Sequence, residues 1–124
     1  VVESFYGGTK DQDRTNIIER FKDPKSDLQY LVANPKTGGY GLNLTVADTI
    51  IYYSNNYDLE VRVQSEDRIH RLGQTNKCTY IDLQCAGTVD QHIISNLVSK
   101  TKISHKVLNE QYKDWIKELK KSYK

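Results

Sequence analysis

Three polar side chains at helical spacing are the clearest candidates for chemistry in this sequence. Gln64, Arg68 and Arg71 stand at positions i, i+4 and i+7, so a helix would project all three from one narrow stripe. Arginine is always charged and carries a planar fork of N–H donors that matches phosphate oxygens. Two arginines and an amide on one rigid face therefore predict contact with a phosphate-bearing ligand.

The residues around this stripe predict the helix that would carry it. Ile69 and Leu72 lie about a quarter-turn away from the arginines and would anchor the helix on a core, while Gly73 would end it. An alternative interpretation needs no ligand. Glu66 and Asp67 are close enough in sequence to pair with the arginines, and a charged stripe of this kind is often only a solvated surface.

A glycine-rich stretch, residues 34–45, follows a predicted buried strand and is the second candidate site. In open parallel sheets, ligands bind beyond the carboxyl ends of the strands, where glycines let backbone amides approach a phosphate closely. The stretch is not a Walker A loop, because Lys36 and Thr37 precede its glycines instead of following them. A purely structural turn is the alternative here, and the same choice applies to the shorter loop at residues 7–10.

Hydrophobic periodicity predicts the elements that must position these stretches. Short apolar runs bounded by glycine, proline or asparagine indicate strands, and apolar residues at helical spacing indicate helices. The run at 28–33 is almost continuously apolar, which is typical of a strand covered on both faces. In chain order the predicted elements are a strand at 1–6, a helix at 11–22, strands at 28–33 and 49–53, a helix at 64–72 and a strand at 78–83. This alternation predicts an α/β fold with a parallel sheet and helices on both faces.

The chain becomes wholly helical after Thr88. Thr88 and Gln91 have the spacing of a capping box at the start of a helix. Two apolar stripes follow, and their members are Ile93, Ile94, Leu97 and Val98, then Val107, Leu108, Tyr112, Trp115, Ile116 and Leu119. We therefore expect a lobe at residues 1–100 and a C-terminal helical extension at residues 101–124.

Composition indicates a globular chain of one ordinary domain, with 124 residues, 37% of them hydrophobic and 27% charged. A net charge of +2 is too small to predict nucleic-acid binding by itself. Cys78 and Cys85 lack metal-ligand spacing and are expected to be reduced thiols, so no metal site is predicted. The reduced thiols indicate a cytoplasmic protein. No apolar run reaches the roughly 20 residues of a membrane span and no signal peptide is recognisable, so we expect no membrane contact.

Together, the candidate stretches resemble the C-terminal RecA-like lobe of SWI/SNF-type superfamily two helicases. The resemblance covers nearly the whole chain. The pairing of Gly-x-Gly-Leu-Asn-Leu-Thr with Gln-x-x-x-Arg-x-x-Arg-x-Gly-Gln at this distance is specific. The matching segments are residues 7–10 with Arg14 and Phe21, residues 38–45 with Ala47 and Asp48, residues 64–74, and residues 88–90 with Lys100.

The resemblance implies an ATP-driven motor on duplex DNA, with ATP and Mg²⁺ held between two lobes. Gln64, Arg68 and Arg71 would face ATP, with Arg71 as the arginine finger and Arg68 as a second catalytic group. Gly41 would also lie at the nucleotide. The residues implied to contact DNA are Lys10, Arg14, Gly38, Gly39, Asn43 and Thr45. Contacts through backbone amides and a few cations would be largely sequence-independent and salt-sensitive.

The resemblance also places part of the machinery outside this chain. The Walker A loop and the acidic Mg²⁺-binding motif belong to the N-terminal RecA-like lobe, and the first strand and helix of this lobe are expected to precede Val1. This chain alone should therefore not hydrolyse ATP. Residues 55–59 replace the Trp-Asn-Pro type segment of many members, which brings the chain closer to compact phage-like or bacterial members. That type predicts the cytoplasm of a bacterial or phage-infected cell, or the nucleus if the source is eukaryotic.

Two other functions remain open from the sequence. A non-catalytic nucleic-acid-binding or interaction module could retain the helicase-lobe fold without the motor, and the absence of Walker A and acidic motifs upstream would favour it. A stand-alone mononucleotide-binding α/β protein is the weaker alternative, because the chain has no complete phosphate-binding fingerprint.

Overall fold

The computed structural model describes residues 1–36 and 42–122, with side chains described up to residue 106. It confirms an α/β fold in which short strands alternate with helices. The elements in chain order are β1 (Val2–Phe5), α1 (Asp11–Lys22), β2 (Tyr30–Ala33), β3 (Thr49–Tyr52), α2 (Leu59–Glu66), β4 (Thr79–Asp82) and α3 (Val89–Ser122). β1 pairs with β2 and β3 pairs with β4, so the described strands form two small sheets.

The first sheet is a parallel pair joined through α1, because parallel neighbours need a crossover connection. Its register runs from Val2 opposite Tyr30 to Phe5 opposite Ala33. α1 contacts β1 and buries Ile18, and Phe5 is also buried. The predicted strand, helix and strand at the start of the chain are therefore confirmed, with a small apolar core between them.

α1 spans the residues that the sequence predicts, and both of its ends have a physical cause. Asp11 and Asp13 lie in its first turn and Arg20 lies in its last, which the helix dipole favours. Asp23 precedes a proline, adopts an extended backbone (φ −78°, ψ 115°) and ends the helix.

β2 is more exposed than its apolar sequence predicts. Tyr30 and Val32 are exposed, and the register places Val2 on the same face of the sheet. The prediction of a strand covered on both faces is therefore wrong for the described part of the chain. A continuous apolar run indicates a strand that could be covered, but the elements packed against it decide whether it is.

The chain divides into two compact units. These units are Val1–Tyr52 with Glu60–Ile81, and Tyr53–Leu59 with Asp82–Lys124. Within the second unit, α3 buries Leu97, and the Nζ of Lys100 donates to the carbonyl of Tyr57 at 2.6 Å. The expected boundary between residues 100 and 101 falls inside α3, which is continuous there. The second predicted apolar stripe lies beyond the described side chains.

The start of α3 has the predicted cap in a modified form. Thr88 Oγ1 accepts the N–H of Asp90 at 3.3 Å. Gln91 Oε1 accepts the N–H of Gly87 at 3.1 Å, one residue earlier than a capping box requires. The carboxylate of Asp90 accepts the N–H of Cys85 at 3.1 Å. These bonds tie the first turn of the helix to the chain that precedes it.

No helix among the described residues is both long and apolar enough to cross a membrane. In the same part of the chain, no three His, Cys, Asp or Glu side chains gather as a possible metal site. Cys78 and Cys85 are free thiols.

Candidate functional site

The segment 67–73, here called the arginine turn, is not helical. Gln64 lies on α2, whereas Arg68 and Arg71 lie on the turns that follow it. In a continued helix the carbonyl of Arg68 would accept an N–H from four residues later, but it accepts the N–H of Leu44 at 2.8 Å. This tertiary hydrogen bond competes with the helix. The prediction that all three side chains share one helical stripe is therefore wrong.

One of the two predicted apolar anchors of this segment is buried. Ile69 is only 2% exposed and holds the arginine turn on the core. Leu72 is 96% exposed, so its predicted role as a second anchor is wrong. Gly73 has a φ of +99°, in the left-handed region that favours glycine. It belongs to the turn after Arg71 and does not end α2, contrary to the sequence prediction.

Arg68 holds both ends of the glycine-rich loop. Its Nη2 donates to the carbonyl of Pro35 at 2.6 Å, shortly before residues 37–41, and its own carbonyl accepts from Leu44, shortly after them. Partial burial lowers the pKa of Arg68, because loss of water disfavours the charged form. A guanidinium nevertheless remains charged at neutral pH. The side chain predicted to face a phosphate is thus also a link between the two candidate stretches.

Gln74 makes a second link between the same stretches. Its Nε2 lies 2.7 Å from the carbonyl oxygen of Ala47, 3.1 Å from that of Ile69 and 3.3 Å from that of Thr45. Its Oε1 accepts the N–H of Asn76 at 3.0 Å, which turns the carboxamide N–H groups toward the three carbonyls. The sequence pattern includes this glutamine but predicts no role for it.

A polar cluster joins β3 to α2, and the sequence pattern alone does not reveal it. The guanidinium of Arg62 lies over the ring of Tyr52, 3.7 Å from its centroid, and its Nε donates to Glu66 at 2.6 Å. Ser65 Oγ donates to the carbonyl of Arg62 at 2.7 Å, so the Tyr52 hydroxyl, 2.6 Å away, is the donor to Ser65. The i, i+4 spacing of Arg62 and Glu66 predicts the pairing of these two side chains, but it does not predict their contacts with Tyr52 and β3.

The remaining residues predicted to face the nucleotide differ in how the structure places them. Gln64 is exposed, and its Nε2 donates to Glu60 within α2 at 3.1 Å. Arg71 is also exposed. Gly41 lies outside the described residues. Arg68 is thus the member of this predicted set whose described contacts lie at the ends of the glycine-rich loop.

The residues predicted to contact DNA after the glycines form a local turn. Asn43 Oδ1 accepts both the N–H and the hydroxyl of Thr45, at 3.0 and 2.8 Å, and both residues are half-buried. Gly38 and Gly39 lie outside the described residues. The turn shapes the chain where the glycine-rich loop meets the arginine turn.

The first glycine loop, residues 7–10, is a tight turn at whose start two backbone carbonyls accept hydrogen bonds from Arg14. Thr9 donates its N–H to the carbonyl of Tyr6 at 3.0 Å, and the N–H of Tyr6 donates to Thr9 Oγ1 at 3.1 Å. Arg14 Nη2 donates to the carbonyls of Tyr6 and Gly7, at 3.2 and 3.0 Å. The structural alternative therefore accounts for this loop, and the described contacts of Arg14 lie around it. Lys10 is exposed at the start of α1.

The arginine turn carries cationic donors that suit an anion. Arg68 and Arg71 lie three residues apart on a turn anchored by Ile69, and guanidinium groups bind phosphate oxygens through short charge-assisted hydrogen bonds. Arg68 and Gln74 attach this turn to both sides of the glycine-rich loop. A ligand that engages the loop would therefore also act on the arginines.

Replacing Gly73 with alanine is expected to destabilise the chain by about 1–3 kcal/mol, the usual cost of a side chain held in a left-handed backbone conformation. A Cβ at this position would lie 3.8 Å from Thr45 Oγ1, an ordinary contact, so backbone strain is the cause. Denaturant unfolding of this chain measures the change. Gly7→Ala is the matched control, because its Cβ would meet nothing within 4 Å and its φ is not left-handed. Equal losses in the two variants would contradict the prediction.

Comparison with known proteins finds similarity to helicase and chromatin-remodelling proteins. The helicase conserved C-terminal domain matches residues 1–73. The SWI/SNF chromatin-remodeling complex subunit snf22 of Schizosaccharomyces pombe is 34% identical over 102 residues, which are 82% of this chain and 6% of that protein. The human chromatin-remodeling ATPase INO80 is 34% identical over 103 residues, which are 83% of this chain and 7% of that protein.

A solved structure supports the same comparison. The C-terminal part of the Fun30 ATPase domain superposes with a TM-score of 0.70 and 27% sequence identity. The superposition covers 77% of this chain and 30% of that one. The expected RecA-like fold class is therefore confirmed.

These two relatives bear on the predicted cytoplasmic location and on the predicted phage-like or bacterial type of helicase. Both curated relatives are chromatin-remodelling proteins of eukaryotes, a fission yeast and human. The expected cytoplasmic location is therefore wrong. The phage-like or bacterial type also has no support from these relatives.

Proposed function

The chain belongs to the helicase conserved C-terminal domain family, and from that membership we propose that it is the second motor lobe of a SWI/SNF-type, ATP-dependent DNA translocase or helicase. Similarity to chromatin-remodelling proteins over more than four fifths of the chain supports this role. The chain spans only 6–7% of the length of those two relatives. The activity of the whole protein is accordingly part of the proposal.

The observation that carries the proposal is the double attachment of Arg68 to the glycine-rich loop. A motor must connect its nucleotide site to its DNA site. Arg68, proposed to face ATP, donates to Pro35 near the start of this loop and accepts from Leu44 near its end. The loop is the segment proposed to touch DNA, so one residue would belong to both sites.

ATP fits the donor set of the arginine turn. Phosphoryl transfer spreads negative charge over the oxygens of the γ-phosphate, and a positioned guanidinium stabilises that charge. We assign Arg71 as the arginine finger, Arg68 as a second cationic contact, and Gln64 and Gly41 as further nucleotide contacts. Mg²⁺ would be held by the N-terminal RecA-like lobe of the same protein, and it would neutralise phosphate charge there.

DNA would be bound through its backbone. Gly38, Gly39, Asn43 and Thr45 would offer backbone amides and small polar groups to phosphates, and exposed Lys10 would add a cation. The described contacts of Arg14 support an indirect contribution, because its guanidinium holds the loop that precedes Lys10. Double-stranded DNA would therefore bind with little sequence preference and strong salt dependence.

Duplex DNA is expected to stimulate ATP hydrolysis by the full-length protein. Hydrolysis is measured with and without two duplexes of equal length and unrelated sequence, over a series of salt concentrations. The two duplexes should stimulate equally, and the DNA concentration needed should rise steeply with salt because phosphate contacts release counterions. The isolated chain is the control and should not hydrolyse ATP, since the partner lobe would supply the Mg²⁺ site. A rate of ATP hydrolysis that neither duplex raises would refute the motor role and favour a non-catalytic binding module.

A further inference from the structure

Gln74 is placed to connect two segments that are far apart in sequence. Its Nε2 reaches the carbonyls of Thr45 and Ala47 on one side and of Ile69 on the other, all within 3.3 Å. Thr45 ends the glycine-rich loop, Ala47 follows it, and Ile69 is the buried residue of the arginine turn. One carboxamide therefore bridges the proposed DNA-contacting and nucleotide-contacting segments.

The orientation of this carboxamide is set by its other end. Gln74 Oε1 accepts the N–H of Asn76 at 3.0 Å, so the nitrogen faces the three carbonyls. Asn76 is held in turn, because its Nδ2 donates to the carboxylate of Asp48 at 3.2 Å. Only a hydrogen-bond donor suits the position that Nε2 occupies, since the surrounding groups are all acceptors.

We propose that Gln74 is a positioning residue that couples DNA engagement at residues 42–47 to the placement of Arg68 and Arg71 at ATP. This inference rests on the proposed motor function. DNA contacts that shift or stiffen residues 42–47 act on the arginine turn through the bridging carboxamide. The backbone bond between Leu44 and Arg68 is a second, parallel connection. Because this second bond still attaches the arginine turn, loss of Gln74 weakens the coupling to DNA more than it weakens ATP hydrolysis without DNA.

Gln74→Glu in the full-length protein tests the proposal. The carboxylate has nearly the same shape but presents an acceptor to three carbonyl oxygens. We expect the ratio of DNA-stimulated to DNA-free ATP hydrolysis to fall about tenfold, a usual size for coupling between two sites. DNA-free hydrolysis should fall less than DNA-stimulated hydrolysis, because the bond between Leu44 and Arg68 still attaches the arginine turn.

Two further variants sharpen the test. Gln12→Glu makes the same chemical change at an exposed position on α1 and should leave the ratio unchanged. Gln74→Asn keeps the amide but is one methylene shorter, so it loses the reach to Ala47 without placing a charge among carbonyls. If Gln74→Glu does not fold, the asparagine variant gives the same measurement, and its ratio should also fall.

The outcomes separate the inference from the function on which it rests. A natural protein without DNA-stimulated hydrolysis would refute the motor function itself. A natural protein that is stimulated, together with Gln74 variants that keep the full ratio, would overturn only the coupling role. A proportional loss of DNA-free and DNA-stimulated hydrolysis would also overturn it, because a purely structural residue lowers both alike.

Discussion

Replacing Arg71 with alanine in the full-length protein is expected to lower DNA-stimulated ATP hydrolysis by at least about a hundredfold, in line with the usual worth of an arginine finger. The reason is that its guanidinium is proposed to meet charge that develops on the γ-phosphate only in the transition state. Such a contact contributes to the maximal rate more than to ATP affinity. Steady-state kinetics with saturating DNA would measure kcat and KM separately, and the loss should lie mainly in kcat.

The controls for Arg71 follow from its exposure and its chemistry. Arg71→Lys keeps the charge but loses the planar fork, so it should restore only part of the rate. Arg20→Ala removes another exposed arginine, one that pairs with Glu3 and Asp27, and should leave hydrolysis unchanged. Arg71→Ala should alter the free energy of unfolding by less than about 1 kcal/mol, because its side chain is exposed. Unchanged turnover in Arg71→Ala would return this arginine to a solvated surface role.

Arg68→Ala is expected to damage stability and turnover together. The variant loses the bond to the carbonyl of Pro35 and leaves that carbonyl without its charged donor, which costs about 1–3 kcal/mol. It also frees the start of the glycine-rich loop from the arginine turn, so both proposed ligand sites lose their arrangement. DNA-stimulated hydrolysis should fall at least about a hundredfold, because a charged phosphate contact and the loop attachment disappear at once.

The comparison of Arg68 with Arg71 is more informative than either variant alone. Arg68→Lys keeps the charge but is shorter and lacks the planar fork, so only part of the stability should return while turnover stays low. Chemical denaturation of the variants and hydrolysis at saturating DNA provide the two measurements. A stability loss in Arg71→Ala as large as that in Arg68→Ala would contradict the different burial of the two side chains.

Local chemistry in the sequence was enough to predict most elements. α1 follows from apolar residues at helical spacing and from Asp23 before a proline, and the structure gives it the predicted bounds. β1, β3 and β4 lie within the predicted apolar runs for the same reason. The match to a known family likewise rests on residue types at fixed spacing, which the sequence alone contains.

Exposure and helix length could not be predicted in the same way. β2 has the apolar sequence of a covered strand, yet Tyr30 and Val32 are exposed. Leu72 has the spacing of a core residue and is almost wholly exposed, whereas Ile69 is buried. The partner elements that decide burial lie elsewhere in the chain, so periodicity within one segment does not identify them.

The sequence by itself therefore determined the order of elements and the fold class, and it supplied the residues that we propose to meet phosphate. The tertiary structure alone decided how those residues are held together. The carbonyl of Arg68 accepts from Leu44 and not from its own helix, its guanidinium reaches Pro35, and Gln74 bridges the same two segments. The physical reason is that a backbone carbonyl or a side-chain amide can be satisfied locally or by a distant segment, and only the folded chain brings that distant partner within reach.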